Sequence, residues 1–76
     1  MTHHERLHAK GILRRGTPKT GFRYVTPDGK KVGAAEVRRI GNLKIPPAWT
    51  EVAINPIAGG LVQAVGKDAA GRWQYL

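Results

Sequence analysis

Gly66-Lys67-Asp68-Ala69-Ala70-Gly71-Arg72-Trp73-Gln74-Tyr75-Leu76 is the stretch that decides how this chain is read. It opens as a turn. Asp68 can bond its own backbone two residues on, and Gly66 and Gly71 accept positive φ without steric cost. It closes as a short strand, because aromatic residues suit a pleated surface. Period-two geometry puts Arg72, Gln74 and Leu76 on one face, with Trp73 and Tyr75 on the other. A cation and an amide thus share a face beside two rings. That set fits nucleic acid: Arg for phosphate or guanine, Gln for an adenine edge, Tyr for sugar, phosphate or base. A solvated edge strand with Trp73 in the core fits the same residues.

Working back from there, Leu61-Val62-Gln63-Ala64-Val65 is an apolar strand, and Pro56-Ile57-Ala58-Gly59-Gly60 is the turn before it. Glu51-Val52-Ala53-Ile54-Asn55 alternates, which places Val52 and Ile54 inward. Ile45-Pro46-Pro47-Ala48-Trp49 is a rigid connector, since each proline fixes its own φ and drives the preceding residue extended. It marks Trp49 as a packing residue. The spacing of Val37, Ile40 and Leu43 predicts a helix over 34–43, stopped by Gly41-Asn42, with Arg38 and Arg39 facing solvent. Pro27-Asp28-Gly29-Lys30 is a turn that returns Phe22-Arg23-Tyr24-Val25 onto Lys31-Val32 as a hairpin. Ile12 to Arg15 is a further short strand, and Thr17 to Gly21 a loop. Residues 1–10 are polar and are expected to form a flexible lead-in to a domain over 11–76. His4 and His8 stand four apart, but no Cys or carboxylate completes a metal set with them. The fold class expected is α+β, a small antiparallel sheet of about five short strands with one short helix.

Composition narrows the function. Thirteen Lys and Arg oppose five Asp and Glu within 76 residues, a formal charge of +8. Such an excess points to a polyanionic partner, and its spread along the chain favours a folded basic face over a basic tail. No apolar run approaches the ~20 residues of a membrane span, so no membrane partner is expected. There is no Cys and no Ser. No phosphate-loop spacing and no nucleophile-base constellation occurs, so no catalytic, cofactor or metal residues are assigned. Duplex DNA and RNA both remain open on charge alone, the latter as a stand-alone basic RNA- or ribosome-binding β domain. So does an acidic protein.

Gly21-Phe22-Arg23-Tyr24 before Pro-Asp-Gly, then Arg39-Ile40, Ile45-Pro46-Pro47-Ala48-Trp49 with Val52, and Gly66-Lys67-Asp68 through Gly71-Arg72-Trp73-Gln74-Tyr75 occur in register. From about Gly11 onward this order resembles the N-terminal domain of type IB DNA topoisomerases of the bacterial and poxvirus-like kind. The resemblance implies a small β domain that forms half of a clamp on double-stranded DNA. It also implies a separate C-terminal catalytic domain in the same parent protein. There a tyrosine makes a 3′-phosphotyrosyl link and relaxes supercoils without ATP or metal. DNA-binding roles then fall on Arg72, Gln74, Tyr75 and Lys67. Neither Tyr24 nor Tyr75 is the implied nucleophile, and the chain alone is expected to bind without cleaving. The implied location is cytoplasmic, at the nucleoid. Trp73 and Ala70 stand where the family commonly carries basic residues.

Overall fold

The structure is a computed structural model and describes residues 2–76. Its elements are α1 (His3–Lys10), β1 (Ile12–Thr17), β2 (Gly21–Val25), α2 (Ala34–Asn42), β3 (Thr50–Ile54), β4 (Ala64–Lys67) and β5 (Trp73–Tyr75). The strands form one antiparallel sheet in the order β2-β1-β3-β4-β5. The domain is therefore α+β with five strands, and it carries two short helices where one was expected.

The additional helix is α1, in the segment expected to be a flexible lead-in. Thr2 and Glu5 make a reciprocal capping box, which satisfies donors that the first helical turn leaves unpaired. Leu7, the one large apolar residue of this helix, is buried against Ala53 and Val65. The capping box starts the helix, and Leu7 anchors it to the sheet although its composition is otherwise polar.

The consequence is that the central strands of the sheet are buried on both faces. Ile12, Val52, Ile54 and Ala64 pack with Ile40 of α2 on one face, joined by Tyr24, Val32, Leu43, Ile45 and Trp49. Ala53 and Val65 pack under Leu7 on the other face, with Leu13 and Val62. Val52 and Ile54 point inward as their alternation predicts, yet Ala53 between them is equally buried. Alternation reads as half-burial only when one face meets water, and here α1 covers that face.

Three expectations shift. The hairpin return at Lys31-Val32 is a single bridge, Val25 to Lys31, while the Pro27-Asp28-Gly29 turn forms with Gly29 at φ 87°. β2 pairs instead with β1 across the Thr17–Gly21 loop. The apolar run at 61–65 enters the sheet only at Ala64, and β4 continues through Gly66 and Lys67. Asn55 and Gln63 hold the preceding loop: Asn55 Nδ2 donates to the Val62 carbonyl at 2.9 Å, and Asn55 N–H to the Gln63 carbonyl at 2.7 Å. Leu61 is left fully exposed. Gly66 is needed in the strand, because a Cβ there would lie 2.7 Å from Trp49 Cε3.

Helix α2 ends one residue short of the expected boundary. Its three apolar residues step three positions at a time, so Val37 and Leu43 sit about 120° apart around the axis with Ile40 midway. Ile40 alone is fully buried, and Val37 stays 43% exposed.

Candidate nucleic-acid interface

β4 and β5 form one end of the sheet, joined by the turn Asp68–Arg72. Asp68 N–H donates to the Arg72 carbonyl and Gly71 N–H to the Asp68 carbonyl, both at 2.9 Å. Gly71 takes φ 79°, as the turn requires. The Asp68 side chain closes it from within. Its Oδ1 accepts from Ala70 N–H at 3.0 Å and from Arg72 N–H at 2.9 Å. The first of these is the two-residues-on bond that the sequence predicts.

The other oxygen does something the sequence does not announce. Asp68 Oδ2 accepts from Arg72 Nε at 3.1 Å and from Gln74 Nε2 at 2.9 Å. Arg72 and Gln74 therefore leave the strand on the same face, as period two predicts, and are tied together by one carboxylate. The bond from the Arg72 backbone N–H, then that from the Gln74 amide, hold the Asp68 carboxyl below its usual range. The Arg72 side chain remains 74% exposed while that of Asp68 is 18% exposed. The anchor is inside and the cation outside.

Lys67 and Tyr75 project from the opposite face. Cross-strand register pairs Gly66 with Gln74 but Lys67 with Trp73 and Val65 with Tyr75. That second face is the one α1 covers. His4 stacks on Trp73, His8 meets the same ring edge-on, and His3 meets Tyr75 edge-on at 6.0 Å. Lys67 reaches Glu51 at 3.0 Å and lies 5.1 Å from the Trp73 ring centre. The four sequence-predicted residues thus gather at one end of the sheet but on two faces of it. Arg72 with Gln74 is one pair, Lys67 with Tyr75 the other. Trp73 is neither deep core nor free: it is half-buried beneath two histidines.

Two arginines have structural roles that charge alone hid. Arg39, expected to face solvent, donates to the Asn55 carbonyl at 2.7 Å, to Gln63 Oε1 at 2.8 Å and to both oxygens of Glu36. It pins α2 to the loop between β3 and β4. Arg14 lies over the Phe22 ring at 4.0 Å and donates to the Trp49 carbonyl at 2.7 Å, clamping the proline connector. Burial lowers its pKa, though the guanidinium stays charged. Neither role has a signal in spacing. Helix α1 did have one, the Thr2-x-x-Glu5 box.

The remaining charge is unevenly compensated. Asp28, Glu36, Glu51 and Asp68 pair with Lys30, Arg39, Lys67 and Arg72. Arg15 and Arg23 face each other across β1 and β2 with no carboxylate partner among the described residues. No group of described residues could hold a metal ion, and no helix among them is long and apolar enough to cross a membrane.

A small, basic α+β domain with a five-stranded antiparallel sheet, an arginine-clamped proline connector and a terminal strand entered through Arg72 is what these observations define. Residues 21–68 match the model of the family described as bacterial DNA topoisomerase IB, N-terminal domain. The DNA topoisomerase 1B of Acanthamoeba polyphaga mimivirus is 33% identical over 75 residues, which are 99% of this chain and 22% of that protein. The chain belongs to the topoisomerase IB N-terminal domain family. It spans about a fifth of the length of that viral relative. The family-model match ends at Asp68, so β5 lies beyond it and within the viral match.

Proposed function

We propose that this domain binds duplex DNA along the β4–β5 end of its sheet, as one half of a clamp. In the longer proteins it resembles, strand cleavage through a 3′-phosphotyrosyl link, and hence relaxation of supercoils, would belong to a separate C-terminal domain. The observation that carries this reading is Arg72 and Gln74 side by side on one face of an edge strand, fixed on Asp68. Arg72 offers a cation to phosphate or guanine, and Gln74 an amide to an adenine edge. Lys67 and Tyr75 are proposed to reach the backbone from the other face of the same strand pair. The +8 charge supplies the long-range attraction.

The alternative of an RNA-binding sheet finds less support. Such sheets stack unpaired bases on aromatic side chains of an open face. Here Tyr24 packs against the core, Phe22 lies under Arg14 and Trp73 lies under His4. Both faces of the central strands β3 and β4 are covered, and Tyr75 is the one aromatic of the sheet left largely exposed among the described residues.

Titration of the 76-residue chain with duplex and single-stranded DNA across a salt series tests the proposal. Duplex binding in the non-specific range, on the order of 10⁻⁴–10⁻⁶ M at physiological salt, with a steep salt slope, is expected. Amide shifts should concentrate in 66–76. Equal affinity for single strands, or a flat salt response, would defeat it. The same chain should leave supercoiled plasmid unrelaxed.

A further inference from the structure

Asp68 uses one oxygen to hold its turn and has the other to spare. Oδ1 receives the two backbone N–H groups, which is all that the turn demands. Oδ2 receives two side chains instead. An ion pair with a partner as exposed as Arg72 adds little to stability. Its geometry has another use. We propose that Asp68 is a positioning residue, presetting the Arg72 guanidinium and the Gln74 amide for contact with a DNA duplex. The assignment rests on the duplex-binding reading above.

The donor inventory supports it. Arg72 spends only its Nε–H on Asp68, and neither Nη nitrogen has a partner among the described residues. The planar fork that suits phosphate or guanine stays open. Gln74 spends one of the two hydrogens of Nε2. Its second hydrogen and Oε1 remain, a donor and an acceptor of the kinds that an adenine edge takes. Both side chains have several free torsions, and ordering them on binding would cost affinity. The carboxylate orders them beforehand. Its own negative charge repels phosphate, so the arrangement favours discrimination between duplexes over raw affinity.

A latch is the opposing idea: Asp68 would mask Arg72 and Gln74 until DNA displaces it. The two differ in whether the bonds to Oδ2 survive in the complex. Asp68→Asn separates them, because Oδ1 can still serve the turn while an N–H now opposes the donors of Arg72 and Gln74. The 76-residue chain, wild type and Asp68→Asn, is combined with Arg72→Ala and with Gln74→Ala. Each is titrated with an A·T-containing and a G·C-only duplex of equal length, followed by nuclear magnetic resonance. In the wild-type background Gln74→Ala should weaken the A·T-containing duplex about tenfold, within the range of a base contact, and Arg72→Ala should weaken both. In the Asp68→Asn background each loss should shrink to about twofold or less, as coupled residues require. In wild type, the Arg72 Nε–H and Gln74 Nε2–H protons should keep at saturation the through-hydrogen-bond coupling to the Asp68 carboxyl carbon that they show in the free chain.

Equal losses in both backgrounds would overturn the assignment. So would Asp68→Asn tightening every duplex alike with discrimination intact, which is the latch. Loss of the coupling between the wild-type Arg72 Nε–H and the Asp68 carboxyl carbon on DNA binding overturns it without any variant, and it decides the matter should Asp68→Asn not fold. If Arg72→Ala and Gln74→Ala change nothing in the wild-type chain, the duplex-binding reading itself falls and takes this assignment with it.

Discussion

His4 lies flat on Trp73, with ring centres 4.1 Å apart and planes within 11°. This contact joins the start of the chain to its last strand. It places α1 over the face of β5 that bears Trp73 and Tyr75, leaving Arg72 and Gln74 on the open side. His4→Ala should uncover the Trp73 ring, shift its fluorescence to the red, and cost about 0.5–1.5 kcal/mol, the usual worth of a stacked pair. Emission and melting of the variant, compared with wild type, test it. Unchanged emission would mean that α1 does not sit on β5 in solution.

Gly66 is held against Trp49. A Cβ at this position would lie 2.7 Å from Trp49 Cε3 and 3.1 Å from Val52 Cγ2. Gly66→Ala should therefore destabilise by about 1–3 kcal/mol through overpacking, even though alanine suits a strand better than glycine. Denaturant unfolding measures this directly. A neutral or stabilising result would show that the connector can move aside.

Arg39 joins α2 to the loop between β3 and β4 through the Asn55 carbonyl and Gln63 Oε1. Arg39→Ala should cost about 1–3 kcal/mol, because it strands acceptors in a partly buried place. Arg38→Ala, one residue away and exposed, should change stability by less than about 0.5 kcal/mol. The contrast between the two melts is the test, and equal effects would refute the assigned role.

Acid should loosen the last turn. Folding depresses the Asp68 carboxyl below its ordinary value of 3.8, chiefly through the Arg72 backbone N–H and then the Gln74 amide. A group whose folded pKa is depressed contributes stability that is complete above its unfolded pKa. That contribution falls away as pH drops through the folded one. The Arg72 and Gln74 bonds should thus be constant from neutrality to about pH 4 and be lost below it. Following the Asp68 carboxyl carbon with the Arg72 amide checks this, and an Asp68 midpoint above 3.8 would contradict the geometry.

Arg72→Ala and Gln74→Ala should leave different marks on DNA binding. Losing a phosphate contact weakens all sequences alike and lowers the salt slope by about one unit. Losing a base contact costs about 1–3 kcal/mol on a preferred duplex and little elsewhere. Salt series on two duplexes separate the outcomes, and identical signatures would remove the division of labour.

Much of the fold was legible because it depends on local chemistry. Pro27-Asp28-Gly29 and Asp68 to Gly71 form turns since their residues tolerate or impose the required dihedrals. Val52 and Ile54 point inward by period two, and Ile40 by the helical period. The face shared by Arg72 and Gln74 follows from strand geometry alone. The family resemblance was legible too, carried by motifs whose order needs no knowledge of their contacts.

What the tertiary structure alone decided is which surfaces meet. Alternation cannot say that a second helix covers the outer face of β3, so Ala53 looked exposed and is not. Net charge cannot say which arginines are spent on carbonyls, so Arg39 looked like a solvated cation and is an internal brace, as Arg14 is. Spacing put Lys67 near the other basic residues of the terminal stretch, but only cross-strand register shows that it and Tyr75 lie on the α1 side. The convergence of Arg72 and Gln74 on Asp68 needs the turn closed and the strand paired. Periodicity is a property of neighbours along the chain, whereas burial, pairing and shared hydrogen-bond partners depend on residues far apart in it.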